Sequence, residues 1–189
     1  MFWGRSNVNV CPATIRKACP GDAPGMAAVH VSAWRDTYRG VIDDAVLDGL
    51  SEERSEMRLR ERIDSSSVIC MVAENDRGQV VGFACGGPER SDEHNVDVEI
   101  YAIYILRQYQ RQGVGRRLVK ALAGEFAGRQ YASMLIWVLS GNSSAATFYE
   151  NLRGEVFTTK PLVIGNCEYE VTGYVWRNLG VIIENGRSN

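Results

Sequence analysis

Histidine is scarce in this chain of 189 residues: there are two, His30 and His94. Cysteine is nearly as scarce and has no pattern, with five residues at Cys11, Cys19, Cys70, Cys85 and Cys167 and no C-x-x-C pair. Too few ligands stand at metal spacing for a zinc site, so no metal is expected. An odd set of scattered thiols reads as free cysteines in a reducing compartment rather than a disulfide framework. No apolar run approaches the roughly 18 residues of a membrane span, and residues 1–10 lack the basic-then-apolar order of a signal peptide. Neither sign of charge dominates, with 21 basic and 23 acidic residues and a net charge of −2. That argues against a broad phosphate-binding face for nucleic acid. The expectation is a cytoplasmic protein with no membrane or nucleic-acid partner.

What is present is an ordinary globular balance, 45% apolar and 23% charged. One domain of this length buries about 70% of its unfolded surface and needs no staple. We read residues 1–12 as a flexible tail, 13–177 as the domain and 178–189 as a second tail. Residues 13–18 suit a strand. Met26, Val29, Ala33, Trp34 and Tyr38 recur at helical spacing before Gly40. Ser51 is a candidate cap for a charged helix at 52–62. Strands follow at 68–73, 79–85 (a hairpin across Asn75-Asp76-Arg77-Gly78) and 96–106. A helix at 113–128 carries a stripe of Val114, Leu118, Leu122 and Phe126. A short apolar strand at 135–139, a helix at 143–152 and strands at 155–160 and 168–176 complete the order. That order implies an α/β (α+β) domain: a mixed sheet of about seven strands flanked by about four helices.

The most informative stretch is Gln110-Arg111-Gln112-Gly113-Val114-Gly115-Arg116-Arg117. A strand ends, two glycines follow at i and i+2, and a helix begins. The layout aims unpaired backbone N–H groups at one point, backed by the positive end of a helix dipole. Glycines there allow a phosphate to approach the backbone, and arginines add charge, so the chemistry implied is pyrophosphate binding. A Walker A loop is excluded because no Gly-Lys-Ser/Thr run exists. A dinucleotide fingerprint would need glycine where Leu118 stands.

Gln110-x-x-Gly113-x-Gly115 resembles the Q/R-x-x-G-x-G/A motif of the GCN5-related N-acetyltransferase (GNAT) superfamily. Asn142-Ser143-Ser144-Ala145-Ala146-Thr147-Phe148-Tyr149-Glu150 is similar to that family's N-x-x-A-x-x-F-Y-E segment, at the expected distance. The ends Trp34-x-x-x-Tyr38-Arg39-Gly40 and Tyr174-x-Trp176 resemble a bacterial subgroup of mostly unassigned substrate.

The resemblance implies the GNAT fold, with a V-shaped splay between the strands at 96–106 and 135–139. Acetyl-CoA would lie there as cosubstrate. Backbone groups of Ile103, Tyr104 and Ile105 would pair with the pantetheine arm. The amides of Arg111, Gln112, Gly113, Val114, Gly115 and Arg116, after Gln110, would hold the pyrophosphate. Asn142 and Ala145 would meet the pantetheine, and Tyr149 would give a proton to the departing thiolate. The acetyl group would pass to a primary amine of a small molecule or peptide by direct attack in a ternary complex. The alternatives are another acyl-CoA, a hydroxyl acceptor, or a non-catalytic acyl-CoA-binding module. Neutralising a lysine-like amine at pH 7 costs about 4–5 kcal/mol, an α-amine about 1. A general base is therefore worth having, and the resemblance points to Glu99, which precedes Tyr101 on the strand where several family members carry one, with Asp97 two residues away on the same side. Asp92, Glu93 and Asp97 could instead attract a cationic acceptor. Trp34, Tyr38 and Tyr101 are candidates for the acceptor wall, and Tyr169, Glu170 and Tyr174 are further ones. Trp137 stands near a position where some relatives carry an acidic base, which weighs against a protein N-terminus as acceptor. Two departures stand out: Arg107 replaces a frequent proline, and Leu152-Arg153-Gly154 lacks glycine at a left-handed cap, so that turn is expected to shift. A homodimer would pair through exposed strand ends near Val163 and Val171.

Overall fold

The stripe of Val114, Leu118, Leu122 and Phe126 is buried along its whole length, and it decides which way the sheet faces. The structure is a computed structural model that describes residues 13–91 and 94–184. The expected tail at 1–12, together with Asp92 and Glu93, lies outside those residues. The strands are β1 (Thr14–Lys17), β2 (Ile69–Glu74), β3 (Val80–Pro88), β4 (Val98–Ile105), β5 (Met134–Leu139), β6 (Glu155–Ile164) and β7 (Cys167–Trp176). The helices are α1 (Ala23–Tyr38), α2 (Asp44–Asp48), α3 (Glu52–Asp64), α4 (Val114–Gly128), α5 (Ser143–Asn151) and α6 (Gly180–Glu184).

The seven strands form one mixed sheet in the order β1-β2-β3-β4-β5-β7-β6. α4 covers one face, where its stripe packs on Val98, Ile100, Met134 and Ile136. α1 and α3 cover the other, where Met26, Val29 and Leu59 meet Val72, Phe83 and Ala102. A small third cluster joins Ile42, Leu139 and Val171, with Trp34, Val46 and Ile164 against it. Ser51 caps α3 as its position suggests, its Oγ accepting from the Arg54 amide at 3.2 Å.

α2 and α6 are the two helices beyond the four expected. Both are five residues long, too short to show a period in sequence. α6 falls in the expected C-terminal tail, but Leu179 and Ile182 are buried in the α4-side core. At the far edge, Val163 lies on the outer strand β6 and is 66% exposed. Val171 lies on the inner strand β7 and is buried, so it offers no strand edge. The turn after α5 does not shift. Arg153 adopts φ +62° there, at a cost of about 1–2 kcal/mol for a residue with a Cβ. The neighbouring position is filled: a Cβ on Gly154 would come within 2.7 Å of the Trp176 ring. Among the described residues, no helix is long and apolar enough to cross a membrane.

Candidate active site

β4 and β5 are parallel neighbours that pair over three residues only, Val98–Ile100 with Met134–Ile136. Beyond Ile100 the two strands part. β4 runs on through Ile105 against β3, and β5 runs on through Leu139 against β7. The closed end of this V is held by Asp97. Its carboxylate accepts from the Ala132 amide at 2.7 Å, the Ser133 amide at 2.9 Å and Ser133 Oγ at 3.0 Å. Those amides keep the carboxyl below its ordinary value. Asp97 thus serves as a strand clamp, and it is not among the residues lining the cleft. β4 also gains one residue on β3, with Ile100 and Ala102 facing consecutive residues, so Tyr101 bulges toward the opening.

The open part of the V forms a cleft of about 960 Å³. Ile103, Tyr104 and Ile105 lie along one wall, and Asn142, Ala145 and Tyr149 stand across from them. At one end is the loop before α4. Gln110 ties its start to the strand, Nε2 donating to the Ile105 carbonyl at 3.0 Å. Arg111 and Gly113 both take positive φ, +59° and +78°, which turns the intervening amides inward as a nest. A non-glycine residue in that region is uncommon enough to point to a site. A Cβ on Gly113 would meet nothing within 4 Å, whereas one on Gly115 would press on Ile105 and Phe148 at 3.1 Å. Gly113 therefore supplies the conformation and the open approach, and Gly115 the packing of α4 on the sheet. Arg107, Arg111 and Arg116 line this end. Gln112 turns back to donate to the Gln108 carbonyl at 2.6 Å, and the Val114 side chain is in the core, so these two contribute main chain.

Asn142 caps α5, its Oδ1 accepting from the Ala145 amide at 3.0 Å. Tyr149, one helical face further on, is 4% exposed and packs against Phe148, Tyr174 and Trp176 with centroids 5.0, 5.8 and 6.0 Å away. Burial, with Tyr38 and Tyr104 nearby, pushes its phenol far above the ordinary value. Tyr149 lines the cleft, and its hydroxyl makes no hydrogen bond among the described residues.

The opposite end of the cleft is less simply related to the sequence. Tyr38 and Tyr101 line it; the Tyr101 hydroxyl donates to the Pro88 carbonyl at 2.5 Å. Trp34 stands behind Tyr38 at 5.2 Å, with its Nε1 buried and unbonded, and does not line the cleft. The Tyr104 ring packs against His30 of α1 and Phe83 of β3. His30 bonds Ser55 Oγ at 3.0 Å, and burial together with Arg58 and Arg62 lowers it to about 4. Glu99 is 2% exposed, and both its oxygens accept from Arg90; it is not among the residues lining the cleft. Tyr169 accepts from the Asp43 amide at 3.1 Å, and Tyr174 faces the α4-side core, so neither forms the wall. The wall residue missed in the sequence is Trp137. Alternation along β5 puts it opposite in facing to Ile136 and Val138, and that signal was readable. Gly173 makes room for it, since a Cβ there would lie 3.0 Å from Trp137 Cζ3.

Comparisons with known proteins bear on the family and the fold. The sequence pattern described as "Acetyltransferase (GNAT) family" matches residues 28–154. The chain is 34% identical over 169 residues to an N-acetyltransferase of Bacillus subtilis, YuaI, which is named as uncharacterized. That match covers 89% of this chain and 95% of YuaI. Among solved structures, the PaiA N-acetyltransferase of Thermoplasma acidophilum in complex with coenzyme A superposes with a TM-score of 0.70 at 18% identity. It covers 85% of this chain and 96% of that one. YncA of Salmonella typhimurium, solved with acetyl-CoA, gives 0.67 at 22% identity, covering 89% and 94%. The seven-stranded splayed sheet, the amide loop and the matched pattern place the chain in the GNAT family of acetyltransferases.

Proposed function

We propose that the protein transfers the acetyl group of acetyl-CoA to a primary amine by direct attack within a ternary complex. The observation that carries this reading is the unpaired edge of β4 from Ile103 to Ile105, ending at the amide nest of Arg111 and Gly113. An extended pantetheine arm fits that edge as an added strand, and a pyrophosphate fits the nest. YncA was solved with acetyl-CoA and PaiA with coenzyme A, which supports the same use here.

In the reaction a C–N bond forms at the acetyl carbonyl, the C–S bond breaks, and the proton leaving the amine ends on sulfur. Tyr149 stays protonated at any working pH because burial raises its phenol. The same raising makes full transfer to a thiolate uphill, since thiols titrate near about 8.5. Its part is a donated hydrogen bond that strengthens as charge develops on sulfur. Glu99 is the proposed base. Its carboxylate reaches the amine through water once Arg90 swings away, and Arg90 is the exposed partner of the pair. Glu99→Gln then lowers turnover with acetyl-CoA affinity unchanged. An unaltered pH–rate profile in that variant assigns Glu99 to holding Arg90 alone.

The test is calorimetric titration with acetyl-CoA, free CoA and longer acyl-CoAs, followed by thiol release with a panel of primary amines. Acetyl-CoA binding with amine-dependent release supports the proposal. Binding without release for any amine leaves an acyl-CoA-binding module, and no binding removes the reading altogether.

A further inference from the structure

Three phenols from three elements line the cleft: Tyr38 of α1, Tyr104 of β4 and Tyr149 of α5. They stand close enough to oppose one another's ionisation, Tyr38 acting on Tyr104 and Tyr149, and Tyr104 on Tyr149. Burial raises all three, so each keeps its proton. A group of neutral donors suits negative charge that develops during a reaction. Tyr38 is the one whose surroundings orient it. Its ring packs on Trp34 with centroids 5.2 Å apart. The Asn142 side chain is its hydrogen-bond partner and offsets part of the effect of burial. The Oδ1 of Asn142 is taken by the Ala145 amide, so Nδ2 is the group that donates to the Tyr38 oxygen. That leaves the Tyr38 O–H itself to donate, on a side chain that lines the cleft. The chain just past Tyr38 lies against the same loop: a Cβ on Gly141 would come 3.8 Å from Val41 Cγ1. Two atoms of a thioester gain charge during transfer, the carbonyl oxygen as the amine attacks and the sulfur as it leaves. Phenols from α1 and α5 supply one donor for each.

We infer that the Tyr38 hydroxyl, oriented by Asn142, donates a hydrogen bond to the acetyl carbonyl oxygen of acetyl-CoA, while Tyr149 serves the sulfur. This rests on the acetyl-transfer reading above and adds a second donor at its reacting centre. The bond exists to the ground-state carbonyl and strengthens as the C–N bond forms and the oxygen takes up charge. When the carbonyl re-forms, the electron pair returns from oxygen and the C–S bond breaks. Tyr38 gives up no proton at any stage.

The experiment reads the carbonyl stretch of acetyl-CoA, isotope-labelled at the carbonyl carbon, bound to the protein without an acceptor. In the wild type the infrared band is expected below that of the free thioester, because a donated hydrogen bond weakens the C=O bond. In Tyr38→Phe the band returns toward the free position, and in Tyr149→Phe it stays low. Tyr38→Phe keeps the ring against Trp34, so acetyl-CoA affinity and melting temperature should hold. With an amine that the wild type acetylates, Tyr38→Phe lowers kcat by about 100-fold at unchanged amine KM, as loss of one oxyanion donor does. A band that Tyr38→Phe does not move overturns the inference. So does a loss confined to amine KM, which would make Tyr38 acceptor wall alone. The infrared readout needs no acceptor. Acetyl-CoA binding with no amine acetylated therefore overturns the amine reading itself, a result distinct from either.

Discussion

At its α4 end the cleft is made of main chain: an unpaired strand edge, a loop with two residues at positive φ, and the amides of a helix start. At its other end it is lined by side chains from three elements and a loop, Tyr38 of α1, Val41 after it, Tyr101 of β4 and Trp137 of β5. A main-chain site binds what every CoA ester shares and constrains few residues. A side-chain site selects among acceptors, and each of its members is free to change. On the proposed reading, the first half carries the family's common chemistry and the second half this chain's specificity.

The sharpest way to break that comparison is at Gly113. A β-branched residue at φ +78° costs about 1–2 kcal/mol before any contact is counted, and on the proposed reading its Cβ would sit where the phosphates approach. Gly113→Val should weaken acetyl-CoA binding by about 30-fold or more in calorimetry. The fold should survive, because no atom lies within 4 Å of that Cβ. Intact binding would mean that the nest does not hold the pyrophosphate.

Tyr149 sits where the halves meet. Tyr149→Phe keeps the ring contacts with Phe148, Tyr174 and Trp176 and removes only the hydroxyl. Turnover should fall by about 10-fold to 100-fold, with acetyl-CoA affinity unchanged. Wild-type turnover would assign stabilisation of the leaving sulfur to water.

Behind the cleft, α1 also carries a half-buried titratable group, His30. Its folded value near 4 lies below the unfolded 6.5, so the unfolded chain binds the proton first. Stability should fall as pH drops from about 6.5 to about 4, by on the order of 2–3 kcal/mol. Thermal melts across that range should lose this slope in His30→Gln. A slope that persists would place the acid sensitivity elsewhere.

The same division explains what the sequence made legible. Gln110, Gly113, Asn142 and Tyr149 act through local geometry: a loop tie, a left-handed residue, a helix cap, a face of a short helix. Spacing along the chain records such things. Lys160 over Trp137, or Arg90 on Glu99, depends on which strand lies beside which, and the chain separates Trp137 from Lys160 by 23 positions. Glu99 stands at a strand position where family members carry a base, and a position along the chain does not record what covers it. Arg153 shows a third case. Its left-handed turn follows from a contact further on, where Trp176 fills the space behind Gly154 and its Nε1 donates to the Leu152 carbonyl at 2.9 Å.

Asp97 belongs to neither half, and so it tests whether they are joined. Its three hydrogen bonds fasten the start of β4 to the start of β5, below the point where the strands part. Asp97→Asn removes the charge from an exposed carboxylate, so the loss should be small, about 1 kcal/mol, seen as a few degrees in the melting temperature. The folded carboxyl titrates below its ordinary value, so this stability is present above about 4 and is lost as pH falls further. The gap between wild type and variant should be full at pH 7 and close below pH 4, a window clear of that of His30. Because the clamp sets the angle of the V, acetyl-CoA affinity and acceptor KM should both weaken, by similar factors of about two to three. A change in one without the other would show that the two walls of the cleft are set independently, and that the shared splay does not couple them.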